Sequence, residues 1–159
     1  MISILVIVAI MLVFGYMLYR MEKNKRTESN LHGPIPINGF ADVHVTKTCS
    51  AKESSDIAIK LSRVQRRLWK SCKRVYTRRS KIPWIVDKVA VVDGDVESGH
   101  PEVVWHTGAN RIVLKLQPSM EYWFARECHN VFRYQLNDAA EEEFNEVERL
   151  IAMRYKRDS

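Results

Sequence analysis

The hydrophobic pattern changes character once, near residue 20. Residues 2–19, ISILVIVAIMLVFGYMLY, carry no charged side chain. As a helix this run of 18 residues rises about 27 Å, close to the thickness of a hydrocarbon core. A buried helix of a globular domain would show a polar face. No Lys or Arg precedes the run, and Tyr16, Met17, Leu18 and Tyr19 make a poor cleavage site. The pattern therefore predicts a retained transmembrane anchor over residues 1–20 instead of a cleaved signal peptide.

Residues 21–53 read as a juxtamembrane linker. HGPIPINGF interrupts helical periodicity with two prolines and two glycines. Only DVHVTKT, which alternates apolar and polar positions, reads there as a strand. Residues 54–159 are predicted to form a small α+β domain. Ile57, Leu61, Val64, Leu68, Cys72 and Val75 recur at helical spacing and form one apolar stripe. Ser54 or Ser55 is the expected N-cap, and Pro83 the stop. KVAVVD, EVVWH and RIVLKL predict about three strands, the last two joined as a hairpin through TGAN. Pro118 ends the last strand and Ser119 can cap the helix after it. In that helix Met120, Phe124, Cys128, Val131, Phe132 and Leu136 make the buried face. A second helix follows, with a capping box at Asp138 and Glu141 and a stripe of Ala140, Phe144, Val147 and Ile151. Helix, strands, helix, helix is an α+β layer order.

Charge changes this picture. The net charge is +6, yet residues 57–81 alone hold ten Lys or Arg and no Asp or Glu. Arg63, Arg66, Arg67, Lys70, Lys73, Arg74, Arg78 and Arg79 surround the apolar stripe of the first domain helix. That face suits an anionic surface, either nucleic acid or lipid headgroups, or a protein partner. Arg20, Lys23, Lys25 and Arg26 follow the apolar run directly. The positive-inside rule then places the N-terminus outside and the domain in the cytoplasm, or in the interior of a virion. Cys49, Cys72 and Cys128 are scattered and odd in number, so no disulfide framework is implied. DGDVE lacks the full calcium-loop pattern and reads as a solvated turn.

The central helix contains RECHN, residues 126–130. Together with the strand NRIVL before it and the acidic helix after it, this order resembles the minimal zincin core of small zinc metallopeptidases, over roughly residues 54–156. In that family the pentapeptide is His-Glu-x-x-His: two imidazoles four apart grip one Zn²⁺ and the Glu activates water. The following helix often supplies an acidic third ligand. The resemblance puts Glu127 at the general-base position and Arg126 and Asn130 at the two ligand positions. Arginine stays protonated and repels a cation. The implied state is a degenerate core with no cofactor. If a metal is held by other ligands, His106, Cys128, His129 and one of Glu141 to Glu143 are the candidates. Cys128 and His129 are adjacent, however, and project about 100° apart on a helix.

No nucleotide-binding or serine-hydrolase motif is present. The sequence thus points to a single-pass membrane protein with a non-catalytic binding or structural role. An accessory or structural component of a membrane-containing virus has this design. The rival expectation is a membrane-tethered metallopeptidase with atypical ligands.

Overall fold

The computed structural model describes residues 4–76, 86–94, 96, 102–136 and 141–155. The chain divides into two compact units, residues 1–31 and 32–159. The first is helix α1 (Ile4–Ser29), 26 residues long, or about 39 Å. Side chains 6–22 are all exposed. Among the described residues no helix is long and apolar enough to cross a membrane. The described side chains of α1 stop short of the roughly 20 apolar residues a span requires.

After α1 the chain follows the order β1 (Leu31–Ile35), which begins at the last residue of the first unit, β2 (Asp42–Thr46), α2 (Ala51–Val75), β3 (Lys88–Val92), β4 (Val103–His106), β5 (Arg111–Lys115), α3 (Met120–Leu136) and α4 (Glu141–Arg154). It is an α+β fold around a five-stranded mixed sheet of order β1-β2-β3-β5-β4. Strands β2, β3 and β5 run parallel, with Val43 beside Val89 and Val89 beside Ile112. β4 is antiparallel to β5, with Trp105 opposite Ile112. The expected hairpin is present, closed by a short 3-10 turn (Thr107–Ala109) and Asn110 in the left-handed region at φ 44°. β3 reads KVAVV because a central parallel strand is covered on both faces.

Two sequence expectations change. The sheet has five strands, not about three, because the segment expected as a linker supplies two of them. DVHVT becomes β2 beside β3. LHGPI becomes β1, an edge strand, where a proline's missing N–H costs no ladder bond. The N-cap of α2 is Ser50, not Ser54 or Ser55. Ser50 accepts from the Glu53 amide and the Glu53 carboxylate accepts from the Ser50 amide, while Ser54 is buried within the helix. Pro83, Asp138 and Ala140 lie outside the described residues.

The core lies between one sheet face and three helices. Val43, Val45, Val89, Val91, Ile112 and Leu114 meet Leu61, Val64 and Leu68 of α2, Phe124, Cys128 and Phe132 of α3, and Val147 and Ile151 of α4. Phe132 and Trp69 meet in a T-shaped contact with ring centroids 6.1 Å apart. Each fully buried side chain of this size contributes about 1.5–3 kcal/mol. The predicted stripes of α2 and α3 are therefore the faces that close this core.

Candidate functional site

The buried stripe of α2 fixes the direction of its charges. At about 100° per residue, Leu61, Leu68 and Cys72 point to the core, and Lys60, Arg63, Arg66, Arg67, Lys70, Lys73 and Arg74 fan out around the opposite direction. All seven are exposed. From Lys60 to Arg74 they form a ridge about 21 Å long. Arg66 Nη2 donates to the Asn38 carbonyl at 3.3 Å. Lys73 Nζ sits 5.0 Å from the Trp69 ring centre. Among the described residues none of the seven has a carboxylate within ion-pair distance. Arg78, Arg79 and Lys81 lie outside the described residues.

The RECHN turn of α3 sits against α4. Arg126 Nε is 3.7 Å from Glu148 Oε2, and its guanidinium lies 5.7 Å from the Trp123 ring centre. Asn130 Nδ2 donates to Glu127 Oε2 at 3.1 Å. These side chains do not fit a zinc ion. A guanidinium stands where the resemblance would put the first ligand, and it faces the Glu148 carboxylate. Where the resemblance would put the second ligand, an amide donates to the Glu127 carboxylate. Among the described residues no group of three or more His, Cys, Asp and Glu is placed to hold a metal. The alternative ligands do not converge: Cys128 and His129 are fully buried in α3, and His106 stands opposite Arg111 on the β4–β5 pair.

His129 has a different role. Its ring accepts or donates on both sides: Nε2 is 2.8 Å from Tyr76 Oη and Nδ1 is 2.8 Å from Glu148 Oε1. A carboxylate only accepts, so the neutral ring carries its proton on Nδ1, and Tyr76 then donates to Nε2. The ring also stacks on Phe144 at 4.6 Å, and the Arg133 guanidinium lies 4.2 Å from the Phe144 ring centre. Tyr76 caps α2, so this chain of bonds ties the C-terminal end of α2 to the middle of α3 and the middle of α4. Burial, then the neighbouring Cys72 and Glu143, raise the Tyr76 phenol above its ordinary value. Burial pushes the Cys72 thiol up to about 12 and raises Cys128 well above 9.0. Neither is a nucleophile in this fold.

Sequence reasoning placed the bases and the RECHN turn but missed Glu148, naming Glu141 to Glu143 as the acids of α4. Periodicity held the only clue: Glu148 follows the buried Val147 by one position and precedes Ile151 by three. Another cluster joins the carboxyl ends of β2 and β3, where Asp93 Oδ2 accepts from Thr46 at 3.1 Å and also from Thr48. It leaves the Asp93 carboxylate engaged. No family model, curated protein or solved structure matches the chain.

Proposed function

We propose that this protein is a single-pass, membrane-anchored binding or structural protein without hydrolytic activity, and that α2 is its contact surface. The observation that carries this reading is the ridge: exposed bases only, opposite a stripe wholly committed to the core. A stripe so used leaves the helix no freedom to fold back on an acidic segment, and near an anionic surface such bases contribute about 1 kcal/mol each. The anchor is α1. Its exposed side chains 6–19 are uncharged, and the sequence extends that run back to residue 2. The bases from Arg20 to Arg26 orient the domain to the cytoplasmic or interior side. An accessory or structural role in a membrane-containing virus fits these features.

The same reading keeps the resemblance to a minimal zincin core. The elements α2, β3 to β5, α3 and α4 follow the expected order, and an acid of the last helix faces the first ligand position. Here a guanidinium takes the place of a metal, so the core serves as scaffold.

The test is reversal of Arg66, Arg67 and Arg74 to Glu in the full chain, followed by flotation with anionic vesicles and by DNA gel shift. The variant is expected to lose at least tenfold in whichever binding the native chain shows. Binding that survives the reversal removes α2 as the contact surface.

A further inference from the structure

We infer that the α2 ridge takes the anionic headgroups of phospholipids, in the same bilayer that α1 enters. This rests on the anchor reading above and goes further by naming the ligand. Three observations separate lipid from nucleic acid.

The first is that, among the described residues, α2 carries no stacking platform. Single-stranded nucleic acid binds through aromatic side chains that bases can cover as well as through bases along the groove. The only aromatic side chain within α2 is Trp69. It is half-buried, meets Phe132 in a T-shaped contact, and has the Lys73 ammonium over its ring. Tyr134, the one strongly exposed aromatic of the described domain, is on α3 and packs against Trp105.

The second is the way α2 is held. A helix that reads duplex DNA enters the major groove with much of its girth. Here Ala58, Leu61, Val64, Gln65, Leu68 and Cys72 are buried against the rest of the domain. What remains is a shallow convex ridge. It can lie on a plane of charges, but it is not shaped to enter a groove. It also lacks a free apolar stripe for insertion: Ile59 is the only large hydrophobic of α2 that is exposed, at 39%. The contact is therefore electrostatic and superficial, as for a polybasic segment on an anionic leaflet.

The third is chain length. Eleven residues, 20–30, separate the uncharged run from the first residue of β1. A domain on so short a tether meets headgroups at a high effective concentration, whereas a nucleic acid must be recruited from solution. The bases between Arg20 and Arg26 mark the same side of the bilayer.

The experiment uses the full chain in nanodiscs of phosphatidylcholine alone or with a third phosphatidylserine, and acetylation of surface lysines read by mass spectrometry. With phosphatidylserine, Lys60, Lys70 and Lys73 are expected to react at least threefold more slowly. Lys47, exposed in the turn after β2, should be unchanged. The protection should disappear in 0.5 M NaCl, since it depends on unscreened charge. Equal reactivity in the two lipids overturns the inference while leaving the anchor intact. Protection that appears only when duplex DNA is added to neutral discs assigns the ridge to nucleic acid. A chain recovered outside the discs overturns the anchor reading and this inference with it.

Discussion

His129 shows how much one residue can commit in this fold. Its ring is fully buried, bonded on both nitrogens and stacked on Phe144. Replacing Tyr76 with Phe leaves Nε2 without a donor, and an orphaned buried acceptor costs about 1–3 kcal/mol. Urea denaturation of Tyr76→Phe should show that loss with an unchanged slope. The alkaline limb of stability follows from the same tyrosine. A raised folded value means the contribution is complete below the ordinary value of 10.0 and is lost as pH rises past the folded one. Native protein should therefore weaken above pH 10 more steeply than Tyr76→Phe. The cysteines separate by burial in the same way. Iodoacetamide should modify half-buried Cys49 in the folded protein, slowly because burial and the nearby Glu53 and Asp93 raise its thiol. Cys72 and Cys128 should react only on unfolding. Little of this could be read in the sequence. The partners of His129 lie 53 and 19 residues away, and no spacing rule links positions that only tertiary packing brings together.

At the scale of elements, local chemistry was legible where it is local. The stripes of α2 and α3 were readable because a helix closing a core must repeat its apolar residues at 3.6. The β4–β5 hairpin was readable from TGAN. The capping box was legible too, since S-x-x-E occurs at Ser50 and Glu53, but three serines in six residues drew the start of α2 to Ser54 or Ser55. Ser50→Ala should cost about 1 kcal/mol. Glu53 is held below the ordinary glutamate value by its bonds to the Ser50 hydroxyl and amide partners. Its stabilising effect is present above 4.5 and fades as pH falls through the lower folded value. Thermal melts of native protein and Glu53→Gln should differ at neutral pH and converge in acid. β1 was misread because Gly and Pro signal a linker by composition. Gly33 instead sits at φ +146°, and a Cβ there would lie 2.8 Å from both the Val43 carbonyl oxygen and His44 Nδ1. Gly33→Ala should loosen the β1 edge, seen as faster amide exchange in β1 than in β3.

At the scale of the molecule, the zincin resemblance makes a demand that neither the ridge nor the anchor makes. If the frame of α3 and α4 descends from a metal site, the backbone should still present ligands once the obstructing side chains are changed. Glu148 makes this testable. One of its oxygens is held by His129, and the other is turned toward Arg126 at 3.7 Å. That half-exposed pair is worth no more than about 1 kcal/mol, so removing the arginine frees an acceptor at small cost to the fold. Arg126→His with Asn130→His places two imidazoles four residues apart on one helix face, with the Glu127 and Glu148 carboxylates beside them. The double variant should bind one equivalent of Zn²⁺, measured by calorimetry and by metal content after gel filtration, and melt at a higher temperature when loaded. Adding Glu148→Gln should weaken that affinity at least tenfold. A double variant that stays folded but takes no zinc would mean that α3 and α4 merely share an element order with the peptidases. The basic ridge would then have to be explained on a scaffold of another origin.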